Sequence, residues 1–465
     1  MFSISLGFVL FIFIYSTPEK SLNLQEYVEL AKTKSESLRA IERDIESLNL
    51  QKGTIYLSLS PELSGGFREI WDERQNASTN ARKLERAGDL GVQQRFLSGT
   101  TLSLTGNYET AKSGGALAGK THDWEWSAQL SQSLLRDAFG CSTRLLTRSQ
   151  ILNLEVQSLD LERRREDLFV HLEQIYWDSM LIHKEMKARE DNLARSQKLL
   201  KWVRNRVSRQ AADSTDLLQA QALMATRELE YQETLDRQQA LLKEIEKFFP
   251  DASFSLSDES FNQTTGKDSL SPGIASLSVL RRDYLIEKKR AEFLRLEFER
   301  QKNGALPNLD AIFAAGTNGV EPTAGEALKK SFGNPIYEIG VRFSTNLNFS
   351  LLADATKAAR VALEAQELRL ASLDRDSKIS WQEFWAQHAR LNERIQTAQK
   401  LAEIQKQKSR EEQRNYEKGK STAFQAITFE QDASEAELLA LRLLASLRKL
   451  EAQLRTFVRE DGAAI

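Results

Sequence analysis

Side chains suited to acid–base, nucleophilic or metal chemistry are few and scattered in this sequence. Its four histidines are His122, His171, His183 and His388, and Cys141 is its single cysteine. Nucleophilic catalysis needs a base within hydrogen-bond reach of the nucleophile, and metal centres need several ligands gathered at characteristic spacings. No Ser/His/Asp pattern, metal-ligand spacing or glycine-rich phosphate loop occurs here. The sequence argues against an enzyme, and neither a metal nor a cofactor is expected. A lone cysteine cannot form an intramolecular disulfide, and Cys141 stands too far from the N-terminus for lipid attachment, so a buried or incidental thiol is expected. The informative residues are of another kind: apolar and aromatic side chains alternating with polar ones.

Trp124, Trp126, Ala128, Leu130 and Leu134 alternate with Glu125, Ser127, Gln129, Ser131 and Ser133. Further along, Tyr337, Ile339, Val341, Phe343, Leu347 and Phe349 alternate with Glu338, Gly340, Arg342, Ser344, Asn346 and Asn348. Shorter runs follow Pro61 (Leu63, Gly65, Phe67) and Pro307 (Leu309, Ala311, Phe313). Successive side chains of a strand point to opposite faces, so each run has one apolar and one polar face. The two longer runs, of about 11 to 13 residues, suit transmembrane strands with lipid on one side and water on the other. Taken singly, each also suits a soluble sandwich; length, aromatic ends and recurrence together favour lipid. Gly91–Tyr108 is also β-like, either as a hairpin outside the membrane or as a further strand.

The elements that must carry these strands are long helices. From Cys141 to Asp251 the one proline is Pro250 and there is no glycine; from Leu351 onward there is no proline, and only Gly419 and Gly462 interrupt. Such tracts can be helical almost throughout. Thr143 to about Arg206 would span roughly 95 Å at about 1.5 Å per residue. After a break at Ala211–Thr215, a return helix runs to Phe249. A second pair runs from about Leu352 to Tyr416 and from Thr422 to Phe457, with Gly419 suited to a helix C-cap and Ser421 or Thr422 to the next N-cap. Ala436, Ala440, Leu443, Leu447, Leu450, Leu454 and Phe457 recur at spacings of four and three, a coiled-coil seam. Leu241, Ile245 and Phe248 hold the same register.

The whole reads as helix, strands and long helical hairpin, twice over. This internal duplication puts a first repeat at 21–250, a linker at 251–275 and a second repeat at 276–460. The opening helices of the repeats are expected from Asn23 to about Lys52 and from about Ser276 to Asn303. Ser3–Tyr15 is apolar and uncharged, so residues 1–20 read as a signal peptide; a buried helix or a membrane anchor is the alternative. The 64 basic and 66 acidic residues nearly cancel, leaving no charge excess that would favour nucleic acid. Mean hydropathy is −0.47, which does not exclude a membrane β-barrel, whose lipid face is dispersed in alternation.

These pieces, in this order, resemble TolC-type outer-membrane efflux proteins. LNLQEYVELAKTKSESLRAIERDIE (Leu22–Glu46) resembles the opening helix, LSPELSGGF and LPNLDAIF the helix-to-strand joints, and AQLSQSLLRDAFG (Ala128–Gly140) a strand-to-helix junction, with Ser133 where many members have Pro. SRQAADSTDLLQAQ and YEKGKSTAFQAITFEQ resemble the periplasmic hairpin tips. The resemblance implies a mixed, mostly α fold: an outer-membrane β-barrel with four strands per protomer, closed as a homotrimer and continued by an α-helical barrel in the periplasm. The barrel strands would carry Leu63, Phe67, Trp124, Trp126, Leu130, Phe313, Tyr337, Ile339, Val341 and Phe343. It implies an exit duct for an inner-membrane pump and a periplasmic adaptor. Adaptor contact would fall on Arg209, Gln210, Ala211, Asp213, Ser214 and Thr215, and on Lys418, Gly419, Lys420, Ser421 and Thr422. Gln210 stands where the family usually has Gly. The acidic ring of the periplasmic aperture maps to the uncharged Gln425 and Thr428, with Asp216 and Asp432 nearby as possible substitutes. The competing readings are a periplasmic coiled-coil scaffold and a periplasmic adaptor. A scaffold leaves the alternating strands unexplained, and an adaptor would carry one helical hairpin rather than two copies of the plan.

Overall fold

The computed structural model describes residues 21–71, 82–113, 119–210, 213–249, 255–256 and 281–457. The expected signal segment, most of the expected linker and Ala211 lie outside them. In chain order the elements are β1 (Ser21–Leu22), α1 (Leu24–Lys34), α2 (Glu36–Thr54), β2 (Glu62–Glu69), β3 (Arg82–Arg95), β4 (Thr100–Ser113), β5 (Gly119–Ser133), α3 (Cys141–Ser208), α4 (Ser214–Glu246) and β6 (Ser255–Leu256). They continue with α5 (Arg282–Gly304), β7 (Asn308–Glu321), α6 (Ala324–Lys330), β8 (Pro335–Ser344), α7 (Phe349–Glu417) and α8 (Ala423–Arg455). No helix among the described residues is long and apolar enough to cross a membrane.

The chain forms two compact units: a helical unit (1–43, 161–281, 374–465) and a sheet unit (44–160, 282–373). Each takes segments from both expected repeats, so compactness and the repeat boundaries divide the chain differently.

In the sheet unit, six strands form one antiparallel sheet in the order β2-β3-β4-β5-β7-β8. The sheet has six strands, against the four barrel strands expected per protomer. The ambiguous Gly91–Tyr108 segment is the centre of a full hairpin, β3–β4, and Arg82, Lys83, Glu85 and Arg86 at the start of β3 hide its alternation from the sequence. The hairpin turns at Phe96–Gly99, where Gly99 takes φ +73°. Two other strand boundaries also move. β5 stops one residue before Leu134, whose N–H is donated to the Leu309 carbonyl at 2.7 Å. β8 ends at Ser344, so Leu347 and Phe349 fall outside it. Asn side chains stop that strand: Asn346 Oδ1 accepts from Asn348 N at 2.9 Å, and Asn348 Oδ1 accepts from Leu351 N at 3.3 Å in the first turn of α7.

In the helical unit the opening helix is broken where one helix was expected. Ser35 adopts ψ 117°, and its Oγ accepts from Leu38 N at 3.5 Å, so the chain is recapped between α1 and α2. α1 itself starts on a capping box, Asn23 Oδ1 accepting from Glu26 N at 2.9 Å and Glu26 Oε2 from Asn23 N at 3.1 Å. β1 pairs in parallel with β6. One core gathers Tyr27, Leu38, Leu172, Tyr176, Met180 and Phe249, with Leu241 and Phe248 packed beside it. A second joins Trp381, Leu391 and Ile395 of α7 to Leu447, Leu450 and Leu454 of α8 and to Phe457, so the heptad seam of α8 is a packing surface. The long helices hold 68 residues (α3) and 69 residues (α7). Cys141 is exposed at the first position of α3, so of the two expected alternatives the incidental thiol remains.

Candidate functional site

The sheet register settles which side chains share a face. Across the six strands one row runs Leu63, Val92, Leu104, Ala128, Ala315, Tyr337, each residue paired with the next. Phe67 and Trp124 lie two rungs away on the same side through Gly88 and Tyr108, and Leu130 pairs with Phe313, which pairs with Ile339. Trp126, Val341 and Phe343 keep the same parity. All ten strand residues singled out from the sequence therefore occupy one face. The opposite face carries Ser64, Gln93, Ser103, Thr105, Ser127, Gln129, Glu338 and Arg342. Thr105 and Ser127 hydroxyls meet there at 2.5 Å.

The apolar face is open to solvent in the protomer: Ile339 is 84% exposed, Tyr337 70%, Leu63 70% and Phe313 46%. A contiguous apolar surface of this extent needs a non-aqueous partner. At one end, Tyr108, Trp124, Trp126 and Phe332 form a run of neighbouring rings with centroid separations of 4.6, 6.2 and 5.8 Å. Trp126 Nε1 donates to Ser331 Oγ at 3.1 Å, so the indoles have apolar bodies and at least one satisfied polar tip. α6 packs hard against this end: a Cβ added to Gly319 would lie 2.3 Å from the Ala327 carbonyl oxygen. At the other end Asp137, almost fully buried, ties three pieces together. It pairs with Arg95 at 3.0 Å and accepts from Thr143 N at 2.9 Å and Thr143 Oγ1 at 2.6 Å, joining the β3–β4 hairpin to the start of α3.

In the helical unit, the two hairpin tips are built differently. α7 ends on Gly419 at φ +74°, with Lys420 N donating to the Asn415 carbonyl at 2.8 Å and Gly419 N to the Tyr416 carbonyl at 3.0 Å. Thr422 Oγ1 then accepts from Gln425 N at 3.3 Å, and the Gln425 side chain accepts from Thr422 N at 3.5 Å, a reciprocal capping box. In the other hairpin Gln210 itself adopts φ +59°, the left-handed conformation that favours glycine. Asp213 occupies the N-cap of α4 without a side-chain cap bond. Arg209, Gln210, Asp213, Ser214, Thr215, Lys418, Gly419, Lys420 and Thr422 are exposed and Ser421 is half-buried. Behind them a small core of Val203, Ala220, Tyr416 and Ala426 brings α3, α4, α7 and α8 together. Trp202 and Tyr416 rings lie 4.4 Å apart, and the Arg206 guanidinium lies 5.1 and 5.4 Å from them. Burial raises the Tyr416 pKa, with Arg206 opposing. Of the aperture residues, Gln425 is engaged in the cap, Thr428 Oγ1 donates back to the Phe424 carbonyl at 2.9 Å, and Asp216 and Asp432 are half-buried.

Further along the same unit, ion pairs cross-link α3, α4 and α8. Glu185, buried on α3, meets Arg237 of α4 at 2.8 Å and Arg442 of α8 at 2.7 Å. Arg227 of α4 reaches Glu430 of α8 at 3.0 Å and Glu230 at 2.8 Å, and Glu230 also holds Arg189 of α3 at 2.5 Å. Burial would lower the Arg227 pKa, but Glu430 and Glu230 outweigh it and hold the group above its ordinary value. At Arg189 burial wins and the pKa falls. The histidines do not assemble. His122 meets the Tyr108 hydroxyl at 2.7 Å, His171 lies 3.5 Å from Glu244 and His388 3.5 Å from Glu451, while His183 is exposed. Among the described residues no group of His, Cys, Asp and Glu could hold a metal ion.

Solved structures of this architecture exist. The Campylobacter jejuni CmeC outer-membrane channel superposes with a TM-score of 0.70 at 13% identity, over 94% of this chain and 85% of that one. The open state of the Neisseria gonorrhoeae MtrE outer-membrane channel gives 0.70 at 14% identity, over 94% and 88%. CusC, described in connection with transmembrane channel formation, gives 0.69 at 12%, over 94% and 91%. This is the TolC-type channel fold. No protein-family model matches the sequence, and no curated protein matches it either. At these identities backbone architecture is what the chain shares with the channels, and the resemblance seen in the sequence rested on the same order of elements.

Within the TolC-type fold, three features escaped the sequence reading. Asp137 carried no signal beyond its place in the LLRDAFG junction. The Glu185 and Arg227 networks lie on helix faces that read as ordinary wetted surface, because charged residues there are spaced as on any solvated helix. The packing of α6 on Gly319 has no sequence counterpart, since a lone glycine in a strand does not say what approaches it.

Proposed function

We propose that this chain is the outer-membrane exit duct of a tripartite efflux or type I secretion system. Three copies would close one β-barrel in lipid, and the paired helices would form a conduit in the periplasm, passively carrying substrates delivered by an inner-membrane pump through a periplasmic adaptor. The observation that carries this reading is the sheet, whose register gives one continuous exposed apolar face and one polar face on strands joined to long helical hairpins. A barrel hides strand edges and turns its apolar face to lipid, which is the arrangement this sheet needs. A soluble periplasmic scaffold would leave that face in water. Fractionation tests the proposal: extraction with outer membranes only in detergent, as a trimer, is expected, and release as a soluble periplasmic protein refutes it.

The adaptor is proposed to dock on the hairpin tips, at Arg209, Gln210, Ala211, Asp213, Ser214 and Thr215, and at Lys418, Gly419, Lys420, Ser421 and Thr422. Crosslinking from position 420 should capture an adaptor hairpin, and its absence from the crosslinked product would exclude this surface. Three-fold symmetry turns each aperture residue into a ring. With the uncharged Gln425 and Thr428 in place of acids, block by multivalent cations added on the helical side in planar bilayers is expected to be weak. Strong block would mean that Asp216 or Asp432 supplies the ring.

A further inference from the structure

We infer that the β3–β4 hairpin is part of the barrel wall, so that each protomer contributes six strands and a closed trimer has eighteen, with a bore wide enough for a polypeptide cargo bulkier than one helix; this rests on the exit-duct reading above. The alternative is a four-strand protomer whose extra hairpin projects beyond the bilayer.

The hairpin spans the full height of the sheet. Its open end pairs Ser113 with Gly119, and its turn reaches the opposite end, where Thr100 pairs with Gln132. The turn is anchored there rather than hanging free. Ser133 N donates to the Gly99 carbonyl at 3.4 Å, Arg95 pairs with Asp137, and a Cβ on Gly140, at φ +78°, would collide with the Leu97 carbonyl at 1.7 Å. Its apolar residues keep the parity of the common face: Val92 and Leu104 stand in the row that runs from Leu63 to Tyr337. A hairpin built to stand in water has no need of that match, because a one-residue slip would reverse every side chain.

The edges make the same point. β2 and β8 are the two free edges of the sheet, and in hydrocarbon their unpaired N–H and C=O groups must be satisfied. With six antiparallel strands, β2 and β8 run in opposite directions, so β8 of one copy can pair antiparallel with β2 of the next. The occupant of both edges is therefore a second copy of this chain. One copy cannot close on itself around a pore, because even about eight strands leave an interior only large enough for side chains. At a strand spacing of about 4.8 Å and a tilt of about 40°, twelve strands give a backbone radius of about 12 Å and eighteen about 18 Å. After side chains of about 5 Å, the free bore widens from about 14 Å to about 26 Å, against about 10–12 Å for one helix with its side chains.

The test is a direct strand count by electron cryomicroscopy of the full-length protein in lipid nanodiscs, viewed along its symmetry axis. Eighteen strands with β8–β2 seams between copies are expected. A twelve-stranded barrel with β3–β4 outside it overturns the inference and leaves the duct intact; a particle with no membrane-embedded barrel overturns the duct reading itself. A second measurement stands apart from imaging: single cysteines at Leu90, Leu104, Phe313 and Ser103 on a Cys141→Ser background, labelled with a fluorophore in brominated lipid. Several-fold quenching at Leu90 and Leu104, matching Phe313 and absent at Ser103, is expected. Quenching of Leu90 and Leu104 by a water-soluble quencher alone would put the hairpin outside the wall.

Discussion

Glu185 offers the sharpest energetic test of the helical unit. Its side chain is 1% exposed and is shared by Arg237 and Arg442, which are 48% and 51% exposed. Replacing either arginine by methionine keeps one cation on the carboxylate and frees a half-solvated partner, so each single change should cost about 1 kcal/mol. Replacing both removes the two cations that contact the buried carboxylate and leaves only the field of Arg189, one turn away on α3, at a cost of about 3–5 kcal/mol. The cycle of Arg237→Met and Arg442→Met should therefore show about 1–3 kcal/mol of coupling beyond additivity. Adding Glu185→Leu to the double variant should recover most of the loss, because a neutral side chain needs no partner there. Urea unfolding of the detergent-purified protein followed by circular dichroism gives the five midpoints. Additivity within about 0.5 kcal/mol would mean that the carboxylate is not held by these two groups as a unit, and the reasoning would fail.

Burial, with Glu244 second, raises the Tyr27 pKa, so the fold favours its neutral form. That contribution is complete below the ordinary value of 10.0 and is lost as pH rises beyond it; Tyr27→Phe should flatten the loss of stability on the alkaline side, and an unchanged alkaline profile would disprove it. Gly319→Ala forces a methyl against the backbone of α6 and should cost about 1–3 kcal/mol with displacement of that helix, read as a lowered unfolding midpoint and a changed Trp126 environment. The tips should respond with opposite signs. Gln210→Gly relieves a left-handed glutamine and should gain up to about 1 kcal/mol, whereas Gly419→Ala should lose about 1 kcal/mol, and a shared sign in thermal melts would contradict the two backbone conformations.

The fold was legible in the sequence wherever one periodicity dominated. Trp124 to Leu130 and Tyr337 to Phe343 alternate cleanly, and the seam from Ala436 to Phe457 keeps its spacing, so those elements were placed within a few residues. Boundaries failed where a polar side chain overrode the pattern, as at Ser35, Asn346 and Asn348. The β3–β4 hairpin was only half visible, because its first rungs are charged and its turn depends on a contact with Gly140 that is distant in sequence. At the candidate site, residue types were readable but their local bonding was not: Gln425, expected at the aperture, is also bound into a helix cap. The interhelical charges were invisible for a simpler reason, since pairing across helices leaves no local spacing.

The way the helices are held has a thermal and ionic consequence. α3, α4 and α8 are joined by the Glu185 and Arg227 charge clusters as well as by apolar packing, whereas the contact of α7 with α8 centres on Trp381, Leu391 and Ile395. Added salt weakens ion pairs whose arginines reach solvent, such as Arg237 and Arg442, and leaves an aliphatic seam in place or tightens it. Cooling does the reverse, because apolar contact loses its driving force at low temperature while ion pairs persist. Ionic strength thus acts on the contacts among α3, α4 and α8 more than on the α7–α8 seam, and a protein moved between dilute and saline surroundings would redistribute its internal flexibility without any change of sequence or ligand.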